Sequence, residues 1–164
     1  MPDAPTLEAQ FEGLFQAHYT PILNYLYRLV GNGGVAEDLA QEAFTRAWKS
    51  RAQWPAIQNL RAWLYRIATN AAHDHMRRER LLSWLPLLGN EPGLLAPHSE
   101  EESFESERMR QALLKLKPEY RVPLVLFTCQ ELTVLEIADT LAISTDAVKQ
   151  RLVRARQQLR EAYR

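Results

Sequence analysis

The C-terminal stretch, residues 132–164, most constrains the fold, because it carries two helix start signals in close succession. Thr133 is followed three residues later by Glu136, the spacing of a capping box in which each side chain satisfies a free backbone amide of the other residue. Ser144 is a second good N-cap. Only residues 142–144 separate the two helical patterns. The stretch therefore predicts two short helices joined by a tight turn, which is the pattern of a helix-turn-helix.

The second of these helices is predicted to have two unlike faces. Its apolar residues recur at spacings of three and four and predict a packed face. They are Val148, Leu152, Ala155 and Leu159. The other face is polar and basic, and in helix-turn-helix proteins the N-terminal part of this helix lies over base edges in the major groove. We therefore expect Lys149, Gln150 and Arg154 to lie nearest to DNA, with Val153 on the same stripe.

The helix pair alone leaves two kinds of protein open. A basic amphipathic helix is also typical of a solvated surface, and two-helix hairpins occur in many helical bundles. A helical interaction protein without a DNA role therefore stays open beside a DNA-binding protein. Asp146, at the start of the second helix, lies at the expected DNA edge and would repel phosphate, which counts against the detailed base readout.

Charge is segregated along the chain, although its 20 basic and 20 acidic side chains cancel. Residues 61–80 carry five basic and two acidic side chains, and residues 146–164 carry six and two. Between them, residues 81–109 carry one basic and six acidic side chains. DNA phosphates interact with the charge of a local surface patch rather than with the net charge of the whole protein. The two basic segments are therefore candidates for nucleic-acid contact.

The sequence predicts neither catalysis nor a metal or other cofactor. Cys129 is the only cysteine, which excludes an intrachain disulfide and a thiolate metal cluster, and its apolar neighbours predict a buried, inert thiol. His73 and His75 are two residues apart on a predicted helix and point away from each other, so they cannot chelate one ion. The absence of a signal peptide and of a membrane-length apolar run predicts a cytoplasmic protein without membrane insertion.

Helical periodicity before residue 81 predicts four helices, and no alternating pattern of useful length predicts a strand. Breaks are expected at Thr20-Pro21, at Gly31 to Gly34 and at Trp54-Pro55. Asn59 is a candidate cap for the last of the four helices. The fold class is therefore predicted to be all-α.

Residues 81–106 differ in kind from the helical segments. Three prolines and two glycines exclude a long helix and predict a linker, whose many leucines favour docking on a domain or a partner. Its acidic end is expected to keep the linker solvated or to form the beginning of the next helix. The predicted organisation is a first small helical domain in residues 1–80, a Pro/Gly-containing linker, and a second small helical domain in residues 107–164 that ends in the helix-turn-helix.

Three blocks of sequence resemble one family. AEDLAQEAFTRAW at 36–48 and LRAWLYRIATNAAHDHMRR at 60–78 resemble the second conserved domain of bacterial sigma factors, in their compact extracytoplasmic-function (ECF) group. KLKPEYRVPLVLFTCQELTVLEIADTLAISTDAVKQRLVRARQQLR at 115–160 resembles the fourth domain. The resemblance implies a transcription initiation factor that binds core RNA polymerase and directs it to specific promoters, the first domain capturing the melted minus-ten strand and the second reading the minus-thirty-five duplex.

The partners that the resemblance implies are core RNA polymerase, promoter DNA and an anti-sigma protein. The polymerase would be held at the clamp helices of its large subunit and at its flap. Asp38, Gln41 and Glu42 share the polar face of one predicted helix and match the family's clamp-binding positions. Simple solvent exposure is the other interpretation of these three side chains.

A helix that mixes aromatic and cationic residues suits single-stranded DNA, because bases stack on rings while arginines hold the backbone. The resemblance implies that one base leaves the stack and enters a pocket beside this helix, where an amide both donates to and accepts from its edge. Asn70 matches the pocket position, and Gln58 and Asn59 are weaker matches. The predicted minus-ten set is Asn70, Gln58, Asn59, Arg66, His73, Arg77 and Tyr65.

The predicted minus-thirty-five set is Lys149, Gln150, Arg151, Val153, Arg154, Arg156 and Arg121. Of these, Arg151, Arg156 and Arg121 are expected on phosphates. Two departures from the family stand outside these contacts: Ala142 occupies the turn where many relatives have glycine, and Pro123 falls about one turn after Pro118. An ordinary helix-turn-helix regulator with an N-terminal sensing or dimerisation domain remains the alternative that also binds DNA.

Overall fold

The computed structural model describes residues 4–83 and 104–164, and all regular structure within those ranges is helical. The α-helices are α1 (Leu7–Val30), α2 (Gly33–Lys49), α3 (Leu60–Leu82), α4 (Phe104–Lys115), α5 (Pro118–Thr128), α6 (Val134–Leu141) and α7 (Thr145–Tyr163). A short 3-10 helix, Arg51–Ala56, connects α2 to α3. The all-α prediction is confirmed.

Side-chain caps explain where several helices begin. The Asn59 side chain accepts a hydrogen bond from the amide of Ala62 at 3.0 Å, and Ser144 caps α7 in the same way. At α6 the capping box is complete: the Thr133 amide donates to the Glu136 carboxylate at 2.8 Å, and the Glu136 amide donates to the Thr133 hydroxyl at 3.1 Å. That first bond is the main reason the pKa of Glu136 is lowered. The caps predicted from the sequence are confirmed.

Two prolines lie inside continuous helices. The expected break at Thr20-Pro21 is wrong, because α1 runs unbroken through Pro21. A proline inside a helix removes one backbone hydrogen bond, but Leu14 and Ile22 on either side are both buried, so tertiary packing holds the two halves in one helix. In the same way α5 begins at Pro118 and continues through Pro123.

The first three helices bury one face each in a common core. Tyr25 of α1 is fully buried, and its hydroxyl lies 2.6 Å from that of Thr69 on α3. Trp54 anchors the 3-10 helix beneath α2, with its indole N–H donating to the Ala47 carbonyl at 3.1 Å. Trp63 is half-buried at the edge of this core.

The helix-turn-helix forms as predicted. Its second helix, α7, buries Val148, Leu152 and Ala155 and packs on both α5 and α6. The turn between α6 and α7 places Ala142 in the left-handed region, with φ 53° and ψ 44°. Cys129 is exposed, which corrects the prediction of a buried thiol, since it lies at the C-terminal end of α5 where the packed face has ended.

The N-terminal and C-terminal helices pack on each other. Helix α3 lies against α6, and α1 lies against α4 and α5. Helices enter both ends of the predicted linker, since α3 continues to Leu82 and α4 begins at Phe104. The expectation that the linker docks concerns mostly residues outside the described ranges. No helix in those ranges is long and apolar enough to span a lipid bilayer.

Candidate nucleic-acid interface

Helix α7 presents a basic and polar stripe. Lys149, Gln150, Val153 and Arg154 are all exposed, and the relative exposure of Val153 reaches 64%. Residues three or four positions apart on a helix are neighbours, so these side chains form one surface. Arg156 is exposed and its guanidinium lies 5.6 Å from the centre of the Phe127 ring.

Arg121 does not share that surface. Its side chain is buried, and its guanidinium donates to carbonyl oxygens at the end of α4, at 3.0 Å for Leu113 and 2.7 Å for Leu116. It also donates to the Leu29 carbonyl of α1. The structure therefore corrects the expectation that Arg121 reaches DNA phosphate, because its donors are already used inside the protein. Burial also lowers the pKa of Arg121.

A pocket of about 380 Å³ lies between α3, the 3-10 helix and the end of α2. Asn70 and Arg66 of α3 are both exposed and line this pocket. Two cations, a hydroxyl, an amide, an aromatic ring and an aliphatic side chain complete the lining. They are Arg46, Lys49, Ser50, Gln53, Trp63 and Ile67.

The loop amides are arranged differently from the prediction. Neither Gln58 nor Asn59 lines the pocket of Asn70, although both are exposed. The second amide in that pocket is Gln53, which sequence analysis missed. Its position follows from its neighbour Trp54, since the buried indole holds the 3-10 helix against α2. In the sequence, only the place of Gln53 directly before Trp54 could have indicated that it lies in this pocket.

Three further predicted minus-ten residues lie in different environments. Arg77 is exposed, with 69% of its side chain accessible, whereas Tyr65 is buried. The Tyr65 hydroxyl donates to the side-chain oxygen of Gln130 at 2.5 Å, and burial raises the pKa of Tyr65. His73 is half-buried, and burial followed by the charge of Arg77 lowers the pKa of His73, so its ring is neutral at neutral pH.

The polar face of α2 is a separate surface. Asp38 and Gln41 are exposed, while Glu42 is half-buried and accepts a hydrogen bond from Arg46. A shallow groove of about 550 Å³ adjoins Gln41. Its apolar lining is aromatic and consists of Phe11, Phe15, Phe44 and Trp48.

Comparison with known proteins matches two separate regions of the chain. Residues 14–81 match the family model for Sigma-70 region 2, and residues 106–159 match that for Sigma-70 region 4. The RNA polymerase sigma factor YlaC of Bacillus subtilis (strain 168) is 34% identical over 155 residues, which cover 92% of this chain and 90% of YlaC. The ECF RNA polymerase sigma factor SigW of the same strain is 34% identical over 167 residues, covering 94% of this chain and 89% of SigW.

Solved structures share the fold. CnrH, solved in complex with the cytosolic domain of CnrY, is 25% identical with a TM-score of 0.70, over 92% of this chain and 85% of CnrH. The sigma factor RpoE, solved with the anti-sigma factor NepR from Bartonella quintana, has a TM-score of 0.77 at 24% identity and covers 93% of this chain and 96% of RpoE. The order of regions 2 and 4 does not favour an ordinary helix-turn-helix regulator. The chain belongs to the ECF group of RNA polymerase sigma factors and is a promoter-specific transcription initiation factor.

Proposed function

We propose that the pocket beside Asn70 receives a base of the melted minus-ten strand while α7 reads the minus-thirty-five element as duplex. The observation that carries this proposal is the convergence of two amides, Asn70 and Gln53, in one concave site rimmed by cations. The chain selects the promoter and contributes to its melting. The polymerase performs the chemistry, so this sigma factor needs no catalytic group or cofactor of its own.

The lining of the pocket suits an extruded base. An amide donates and accepts at once, so Asn70 and Gln53 together match the mixed edge of a nucleobase. Unstacking a base costs a few kcal/mol, and stacking on a ring such as the half-buried Trp63 returns roughly 1 to 3 kcal/mol. Arg66 and Lys49 are placed to hold the flanking phosphates.

On α7, the exposed stripe suits the major groove. Arginine and lysine pair with guanine, and glutamine pairs with adenine, so Arg154, Lys149 and Gln150 can each read one base. Arg151 and Arg156 supply phosphate contacts beside them. Arg121 is left out of this set because it is buried among backbone carbonyls.

Partners are assigned to the remaining surfaces. Asp38 and Gln41 on α2 form the contact with the clamp helices of core polymerase, with Glu42 at its edge. Region 4 contacts the polymerase flap. CnrH was solved with the cytosolic domain of CnrY, and RpoE with an anti-sigma factor, which supports an anti-sigma protein as the inhibitor of this chain as well. The site of action is the cytoplasm, where polymerase and promoters are found.

Transcription from a library of promoters with randomised minus-ten positions, using reconstituted core polymerase, tests the pocket. Asn70→Ala and Gln53→Ala should each change the base preference at the same single position, by about tenfold, since one discriminating contact is worth roughly 1 to 3 kcal/mol. Gln58→Ala is the matched control, because Gln58 is an exposed amide outside the pocket. An unaltered preference in both pocket variants, or an equal change in the control, would contradict the assignment.

A further inference from the structure

We propose that Asp146 is a specificity-determining residue of the minus-thirty-five interface and that it selects cytosine in the base pair facing the N-terminal end of α7. The inference rests on the proposed function, since it assigns one more role to the surface of α7 that reads duplex DNA. The negative charge that counts against phosphate contact is here the group that recognises a base.

Asp146 lies on the same stripe of α7 as the side chains proposed to read bases. At about 100° per residue, it is about 40° from Gln150 and about 20° from Val153 around the helix axis. It is about 160° from Val148, which is fully buried. The Asp146 side chain is exposed, like that of Lys149. The helix therefore turns Asp146 away from the core and toward the surface proposed to enter the major groove.

The fold does not use the carboxylate oxygens of Asp146. The cap of α7 is Ser144, whose hydroxyl accepts a hydrogen bond from the amide of Ala147 at 3.1 Å. Within residues 4–83 and 104–164, no donor forms a hydrogen bond or ion pair with the Asp146 side chain, and Lys149 one turn away is not its partner. The helix dipole favours a negative charge in the first turn, but it leaves the acceptor positions of the carboxylate open.

A carboxylate distinguishes bases in the major groove because it only accepts hydrogen bonds. Cytosine presents an amino donor there, whereas guanine presents two acceptors, and thymine presents an acceptor and a methyl group. Adenine presents one amino donor, but its N7 acceptor lies beside that donor and repels a carboxylate. Asp146 therefore favours cytosine, accepts adenine less well, and rejects guanine and thymine.

Lys149 complements Asp146 at the same end of the helix. Its ammonium group only donates hydrogen bonds, and guanine offers it the O6 and N7 acceptors. Because cytosine pairs with guanine, a C·G pair beneath this turn presents a donor to Asp146 and acceptors to Lys149. The reversed pair sets the guanine acceptors against the carboxylate, so the two side chains together define the orientation of the pair.

The charge of Asp146 also weakens binding to incorrect sequences. Attraction to phosphates supplies most non-specific affinity for DNA, and a carboxylate at the DNA edge reduces that attraction at every site. Specificity is a difference between affinities, and a repulsive group raises it by weakening the incorrect sites. Asp146 therefore lowers affinity overall while it raises discrimination, which a residue that only stabilises α7 would not do.

Transcription by holoenzyme, reconstituted from the full-length chain and core polymerase, on promoters with randomised minus-thirty-five positions tests this role. Asp146→Ala should reduce the preference for cytosine at one position by about tenfold, the scale of one base contact, and should raise transcription from promoters with guanine or thymine there. Asp146→Asn should move the preference at that position to adenine, because an amide pairs with adenine N6 and N7. Glu161→Gln, which removes an exposed carboxylate near the other end of α7, is the matched control.

An unchanged minus-thirty-five preference in both Asp146 variants overturns the proposal. A uniform fall at every promoter, together with a lower urea midpoint, also overturns it, because Asp146 would then serve only the stability of α7. Gln150→Ala separates this outcome from failure of the proposed function. If Gln150→Ala changes a base preference and the Asp146 variants do not, α7 reads DNA without Asp146. If none of these variants changes any position, the assignment of α7 to the minus-thirty-five element fails as well.

Discussion

Ala142 has a backbone conformation that residues with a Cβ atom rarely adopt. It adopts the left-handed conformation at the turn between α6 and α7, with φ 53°. For a residue with a Cβ this conformation costs roughly 1 to 2 kcal/mol. The turn tolerates the cost because α6 and α7 are each capped and are both packed on α5. In the sequence, alanine stands where many relatives have glycine, and the turn geometry shows that this position is left-handed.

Ala142→Gly is expected to raise the free energy of unfolding by about 0.5 to 1 kcal/mol, since relief of the left-handed strain exceeds the entropy that glycine loses on folding. Urea unfolding of the full-length chain measures the change. Ala17→Gly, at an exposed position inside α1, is the matched control and should lower stability by about 0.5 to 1 kcal/mol. Equal destabilisation by the two substitutions would show that the turn is not strained.

Arg121 and Cys129 show where single-residue inference failed. Both assignments relied on the neighbouring sequence, which does not reveal what a side chain meets in the folded chain. Arg121 meets the open carbonyls of α1 and α4 instead of solvent. Cys129 falls just past the last packed turn of α5 and is exposed.

Among the elements, α2 has one buried face and one face free for a partner. Ala36, Leu39 and Ala43 are buried against the core, while Asp38 and Gln41 are exposed. This separation follows from the helical period and was readable in the sequence. The continuity of α1 through Pro21 was not readable in the sequence, because the packing that holds both halves of α1 in line comes from α2 and α3.

Placing two cations on that free face, with Asp38→Lys and Gln41→Lys together, should weaken binding to core polymerase about tenfold or more, because a charge that is buried in an interface without a partner costs several kcal/mol. Co-purification and fluorescence anisotropy with core polymerase measure the loss. Glu161→Lys, a charge reversal at an exposed position of α7, is the control and should bind as the wild type. Undiminished binding of the α2 variant would remove this face from the polymerase contact.

At the scale of the whole molecule, Gly31 of region 2 packs closely against the Leu114 side chain of region 4. It ends α1 with φ 72°, and its hydrogen atoms face Leu114 of α4. Glycine serves two purposes here: it takes the left-handed conformation without strain, and it leaves room for the leucine.

Gly31→Ala is expected to lower the free energy of unfolding by about 1 to 2 kcal/mol from the left-handed conformation, with further loss from the clash with Leu114. Denaturant unfolding measures the loss. Gly13→Ala is the matched control, because a Cβ there meets nothing within 4 Å and alanine favours the helix by about 0.5 to 1 kcal/mol. A Gly31→Ala variant as stable as the wild type would contradict the close approach.

The sequence by itself determined the all-α class, the caps at Asn59, Thr133 and Ser144, and the basic stripe of α7, because each depends on residues close together in the chain. Its motifs were also sufficient to indicate the sigma-factor family. Only the tertiary structure decided that Gln53 joins Asn70 in a pocket, that Arg121 is buried, and that the Tyr65 hydroxyl of region 2 donates to the Gln130 side chain of region 4. Those contacts link residues that are distant in sequence, and local periodicity does not indicate which surfaces contact each other.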